Sequence, residues 1–199
     1  MKTIYYGATS LNGFIADENN SLDWLFQFSD GEVPQSYTNF IRDVGAICMG
    51  SHTYEWLWEH QISKESDPAK AWPYKMPAWV FTTRKLVEIP GADVRFVQGD
   101  VKPVFEEMKK AAGGKNLWVV GGGELAAKFY DAGLLDELIL QVAPLTLAGG
   151  APLFPRRIHP PMKLISAEAI QGLFVELNYQ INYVPAKDVV KTASIPFKT

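Results

Sequence analysis

Four short apolar runs limit the possible folds of this chain more than any other feature. They are Ala46-Ile47-Cys48-Met49, Ala78-Trp79-Val80-Phe81, Leu117-Trp118-Val119-Val120 and Leu138-Ile139-Leu140. Each is too short for a buried helix and has no polar face, so each reads as a strand covered on both sides. Helical patterns lie between them. Val101, Phe105, Met108 and Ala112 form one stripe, with Glu106 and Lys110 as an i, i+4 pair on another face. A second helix begins at Glu124, points Leu125, Phe129 and Ala132 inward, and ends at Gly133. A third follows Gly50 and carries Tyr54, Leu57 and Trp58. Strands and helices in alternation predict an α/β fold with a mostly parallel sheet.

The rest of the chain extends this frame. Residues 3–9 and 94–97 read as further strands, and Phe14-Ile15-Ala16 as a short apolar piece after a turn. Residues 17–36 and 60–77 read as loops, with Pro34 opening a short helix that holds Tyr37, Phe40 and Ile41. From residue 173 to 183 the pattern changes to strict alternation. Leu173, Val175, Leu177, Tyr179, Ile181 and Tyr183 share one face, and Glu176, Asn178, Gln180 and Asn182 the other. Period two with one polar face predicts an antiparallel strand covered on one side, and 163–169 can pair with it across Gln171-Gly172. We expect one domain over 1–184 and a C-terminal extension over 185–199.

Composition narrows the function. A net charge of −3 and no basic cluster argue against nucleic-acid binding. The single cysteine, Cys48, lies among apolar neighbours and reads as a buried thiol, so no thiol-based metal site is expected. The N-terminal apolar run is broken by Thr9, Ser10 and Asn12, unlike a secretory leader, and no window suits a membrane span. A cytoplasmic protein without metal or membrane partner is the expectation.

Three strand ends carry unusual residues. Gly121-Gly122-Gly123-Glu124 stands between a strand and a helix. Either the turn needs positive φ, or bare helix N-terminal amides let a pyrophosphate approach the backbone. Gly50-Ser51-His52-Thr53 is a second strand-to-helix junction, where Ser51 or Thr53 could cap the helix or the amides could take an anion. Thr82-Thr83-Arg84 is the third, either a solvated basic turn or a phosphate site. Together they describe what a dinucleotide phosphate needs. The glycines do not match the GxGxxG fingerprint, and the segment comes late in the chain.

In this order the motifs resemble the dihydrofolate reductase fold, a three-layer α/β/α arrangement whose mixed, mostly parallel sheet ends in an antiparallel C-terminal edge. The nearer resemblance is to the C-terminal reductase domain of bifunctional riboflavin-biosynthesis deaminase/reductase proteins. SLNGFIA at 10–16 and APLTLAGGAPLFP at 143–155 carry it, and it extends over residues 2–184. The resemblance implies NADPH as hydride donor. It places Gly121, Gly122, Gly123 and Glu124 at the pyrophosphate. Gly50, Ser51, His52 and Thr53, with Thr82, Thr83 and Arg84, fall on the adenosine side. Ala8, Asn12 and Gly13 fall at the nicotinamide end, and Gly149 and Gly150 beside the substrate. Trp24 either covers the substrate pocket or caps the core.

Departures from the family pattern sharpen these expectations. The stretch from Pro34 to Tyr37 holds no acid of the kind folate reductases use to protonate the pterin. Ser51 stands where the family often has Arg, which leaves Arg84 as the main partner for the extra phosphate and leaves NADH open beside NADPH. Asn12 replaces an Asp, so Asp17 and Asp23 become candidate proton donors, with ordinary loop acids as their other reading. The implied activity is NADPH-dependent reduction of a small heterocycle at a C=N or ring-opened ribose group, as in 5-amino-6-(5-phosphoribosylamino)uracil reductase. A pteridine-type reductase and a non-catalytic nucleotide-binding module are the alternatives. The last strand and the resemblance together imply a homodimer.

Overall fold

The computed structural model describes residues 1–28 and 34–184. The expected extension at 185–199, and residues 29–33 of the expected loop, lie outside the described residues. In chain order the elements are β1 (Thr3–Ser10), β2 (Phe14–Ala16), α1 (Asp23–Phe26), α2 (Gln35–Arg42), β3 (Val44–Gly50), α3 (Ser51–Leu57), α4 (Pro68–Ala71), β4 (Ala78–Phe81) and β5 (Val94–Val97). Then come α5 (Val101–Ala111), β6 (Asn116–Gly121), α6 (Gly123–Asp131), β7 (Glu137–Ala143), β8 (Ala151–Pro152), β9 (Lys163–Ile170) and β10 (Phe174–Gln180). The helix after β3 continues as a π-helical turn over Trp58–Ile62, and with α4 it gives order to part of the stretch read as loop.

The main sheet has the order β5-β4-β3-β6-β1-β7-β10-β9. The six strands from β5 to β7 are parallel, and β10 and β9 close the sheet in antiparallel pairing across the turn at Gln171-Gly172. Helices cover both faces, which accounts for the apolar runs. Ala46, Cys48, Leu117, Val119 and Trp79 turn toward α5 and α6, where Met108 and Phe129 are fully buried. Their alternating neighbours Ile47, Met49, Trp118 and Val80 turn toward α2 and α3, against Tyr54 and Leu57. This is the dihydrofolate reductase-like α/β fold anticipated above.

Aromatic packing organises the second face. The Trp118 ring meets Tyr6, Tyr37, Phe40 and Tyr74 edge-on, and its indole N–H donates to the Tyr6 carbonyl at 3.1 Å. On the first face α6 ends as expected. Gly133 has φ +73°, and the Leu134 N–H reaches back to the Phe129 carbonyl at 2.9 Å, a Schellman closure. The last strand departs from expectation. Its apolar face is partly bare, with Leu173 and Val175 each 44% exposed. Its polar residues Glu176 and Asn178 are half-buried on the α2 side of the sheet.

Phe129 sits at the centre of the α6 contact with no solvent exposure. Replacing Phe129 with Ala should cost about 3–5 kcal/mol of stability, read as a lowered urea midpoint with unchanged slope.

Candidate functional site

β1, β3 and β6 end side by side, and a cleft of about 830 Å³ opens at their carboxyl ends. This is where ligands enter open parallel sheets. A second depression, of about 530 Å³, lies between His60 and Ala71; it is lined largely by polar residues and meets none of the strand ends.

The three glycines lie at the cleft and serve different purposes. None has positive φ, which sets aside the turn-conformation reading. A Cβ on Gly121 would stand 2.8 Å from the Thr53 hydroxyl, and one on Gly123 would stand 2.5 Å from the Pro152 carbonyl oxygen. Those two glycines therefore make room for the protein's own chain. Gly122 differs: its backbone is extended (φ −95°, ψ −176°), and its nearest neighbour, Ile15 Cδ1, would be 3.7 Å from a Cβ. It is the N-cap of α6, yet it has no side chain to cap with, so the N–H groups of Gly123 and Glu124 have no helical partner. The result is a bare, electropositive helix start on the cleft wall.

The neighbouring junction is similar. Gly50 caps α3 without a side chain, and a Cβ there would be 3.9 Å from the Gly122 nitrogen, so the two turns adjoin. Ser51 caps nothing. Its hydroxyl accepts from Arg84 Nη2 at 2.9 Å, and the same nitrogen donates to Glu55 Oε2 at 2.7 Å. Thr82 is engaged in its own turn, accepting from the Arg84 N–H at 3.0 Å. Glu124 pairs with Arg156, which also holds Asp131; these bonds raise the already high pKa of Arg156.

Nine of the residues singled out in the sequence line the cleft: Ala8, Gly50, Ser51, His52, Thr53, Gly121, Gly122, Gly123 and Glu124. Arg84 reaches it only through Ser51 and Glu55, and Gly13, Thr82 and Thr83 are not in its wall. Asn12 and the candidate proton donors are also elsewhere. Asn12 clamps the 145–147 loop, donating to the Leu147 carbonyl at 2.7 Å and accepting from its N–H at 3.1 Å. Asp17 closes a local turn, its Oδ1 accepting from the N–H groups of Asn19 and Ser21 at 2.8 Å. Asp23 is exposed at the start of α1.

Trp24 is 8% exposed and absent from the wall; its neighbours Leu22 and Leu25 are the ones that line it. Gly150, at φ +134°, allows its loop to lie against the Ala16 carbonyl, and Gly149 lies against Glu18, so both glycines seat the β8 segment on β2. Sequence reasoning missed Gly7, Ile15, Trp56, Val120 and Lys128 in the cleft wall. Gly7, a bare residue directly after Tyr5-Tyr6, was an available signal. Among the described residues no group of three or more His, Cys, Asp or Glu could hold a metal, and no helix is long and apolar enough to cross a membrane.

Known proteins resemble this chain in sequence and fold. Residues 2–174 match the RibD C-terminal domain. The chain belongs to the RibD C-terminal domain family. It is 31% identical to the uncharacterized protein YwjB of Bacillus subtilis over 89% of this chain and 97% of that one. A solved structure from Shewanella sp. PV-4, provisionally assigned to riboflavin biosynthesis, aligns with TM-score 0.76 and 27% identity, covering 92% of this chain and all of the other. Dihydrofolate reductase from Enterococcus faecalis, solved with NADP(H), aligns over 92% of this chain and 97% of its own with TM-score 0.56 at 14% identity, a likeness of fold.

The glycines can be told apart by stability. Gly123→Ala drives a Cβ into backbone carbonyls and should cost roughly 3 kcal/mol. Gly122→Ala should cost under about 1 kcal/mol. Thermal unfolding of the two variants checks the difference.

Proposed function

We propose that this protein is an NADPH-dependent reductase of a small heterocycle, with a reaction of the 5-amino-6-(5-phosphoribosylamino)uracil reductase type. The observation that carries the reading is Gly122. A side chain at this cleft position would meet no protein clash, yet the residue is glycine at a helix start whose amides are unfilled. The site fits a dinucleotide diphosphate: the Gly123 and Glu124 N–H groups would hold it, and Gly50 would let it pass between the two junctions.

When bound, the nicotinamide supplies a hydride to an electrophilic carbon of the substrate. The chain's own contribution is placement. Gly7 and Ala8 keep the β1 wall low, Ile15 and Val120 make the surroundings apolar, and Leu22 and Leu25 reduce access of water. Hydride transfer needs such alignment more than it needs a reactive side chain. Ser51, His52 and Thr53 would face the adenosine half, with Arg84 for the extra phosphate. Arg84 shares its charge with Glu55, so NADH remains a competent donor. That Asn12 and Asp17 are committed to turns favours a second reading, a nucleotide-binding module without turnover.

The reading also includes a homodimer. Edge strand β9 and its neighbour expose Leu164 (51%), Ile165 (49%) and Val175 (44%), an apolar surface suited to a second copy. Light scattering at micromolar concentration should give twice the mass of one chain; a monomer would remove this part of the reading.

Quenching of tryptophan fluorescence by NADPH tests the cofactor directly. Gly122→Val should weaken binding at least about tenfold while the protein stays folded. Wild-type protein that binds neither NADPH nor NADH at millimolar concentration would refute the reductase. Glu55→Gln frees Arg84 and should tighten NADPH binding about threefold to tenfold with little change for NADH. NADPH that binds but is never oxidised with pterins, uracils or nitro compounds would favour the module.

A further inference from the structure

The α2-facing side of the sheet is apolar and aromatic over most of its area, but at one end it turns polar. Ala8 of β1, which lines the cleft, pairs in register with Gln141 of β7, and Gln141 with Glu176 of β10. Paired residues project to the same face, so a row leads sideways from the cleft wall to a carboxylate two strands away, about 10 Å between backbones. The adjoining row is Tyr6, Ile139 and Asn178. Gln141 Nε2 donates to the Tyr6 hydroxyl at 2.8 Å and to Glu176 Oε2 at 3.0 Å, and the Tyr6 O–H points to the same oxygen at 3.4 Å. Burial and the nearby carboxylate hold the Tyr6 phenol well above its ordinary pKa, so it remains a donor.

Gln141 Nε2 and the Tyr6 O–H spend their hydrogens inside the cluster, while other polar groups in it stay without partners among the described residues. Glu176 Oε1 receives no hydrogen bond among the described residues. Asn178 Oδ1 is buried without a partner. The Ser36 hydroxyl of α2 is buried too; it comes near enough to Tyr6 to favour the phenolate slightly but completes no hydrogen bond. Buried polar atoms are normally paired, and N–H donors reaching the open oxygens of Glu176 and Asn178 would complete this cluster. Flat rings surround it: Tyr6 stacks on Phe40 with centroids 4.6 Å apart, and Phe174, two residues before Glu176 on the same face, meets Phe28.

We propose that Glu176, oriented by Tyr6 and Gln141, binds the substrate ring by accepting hydrogen bonds from adjacent N–H groups of an amino-substituted pyrimidine-type heterocycle. The proposal rests on reading the adjoining cleft as a reductase site. It gives the acidic role that Asp17 and Asp23 do not fill to a residue of the last strand. Glu176 is a binding residue here, and the ring edge it holds sets which face of the substrate meets the cleft.

The test uses 2,4-diaminopyrimidine as the donor-rich probe and uracil as its carbonyl counterpart, titrated calorimetrically into the full chain with and without NADPH. Wild type should prefer the diamino ring. Glu176→Gln should lose at least about tenfold in affinity for it and abolish the preference, with NADPH affinity within about twofold of wild type. Tyr6→Phe, which keeps the stacked ring, should lose about threefold. Equal binding of the two probes by wild type, or both variants within twofold of wild type, overturns the assignment. Should Glu176→Gln fail to fold, Tyr6→Phe decides, and an unchanged affinity there overturns it. Glu176-dependent binding in a protein that takes up no NADPH would leave the assignment standing and remove the cofactor reading instead.

Discussion

The insertion of β6 between β1 and β3 is the constraint on which the rest depends. β6 comes more than sixty residues after β3, yet it pairs with both neighbours, Ile47 opposite Trp118 on one side and Thr3 opposite Leu117 on the other. That pairing brings the junction after β3 beside the junction after β6, so that Gly50 and Gly122 adjoin. Without it there would be two separate helix starts and no cleft. The cost is entropic, because long loops must close before the pairing is formed. It is met by burial: Trp118, Val119 and Leu117 fill both faces around the inserted strand.

Close backbone approach then shapes the site. Gly123 lets the start of α6 lie against the Pro152–Leu153 carbonyls, and Gly150 lets the same β8 region lie against β2. The loop after β1, the segment after β7 and the α6 turn are thereby locked into one wall. Gly121 and Gly123 are needed for this fit, and Gly122 has room for a side chain beside Ile15 in the cleft wall. A run of three glycines that looks uniform in the sequence therefore divides into two packing positions and one that lines the cleft without a packing role.

Charge placement around the cleft follows a similar division. Arg84, the cation the sequence suggested for a phosphate, is tied to Glu55 and Ser51, and Glu124 is tied to Arg156. These are exposed pairs worth little to stability. Their effect is to hold side chains in place at the rim. Beside the cleft, along the row that starts at Ala8, polar groups are supplied by Tyr6, Gln141 and Glu176 from three adjacent strands, which keeps them on rigid elements.

Much of the architecture was legible in the chain because it follows from local pattern. Apolar runs without a polar side required a sheet covered on both faces, the stripes of α5 and α6 required helices, and strict alternation required an antiparallel closing strand. Glycine-rich junctions after β3 and β6 marked the end of the sheet where the cleft opens, because glycines at a strand-to-helix junction signal close approach to the backbone. Other features depend on what lies across the fold. Whether Asn12 and Asp17 face a ligand or close a turn is decided by Leu147, Asn19 and Ser21. The polar face of β10 alternates as a solvated face would, yet the sheet order carries it beneath α2 and beside Tyr6. Periodicity determined that Glu176 and Asn178 point the same way. Only the tertiary structure decided that this way is inward, because the direction of a strand's faces is set by its neighbours and not by its own sequence.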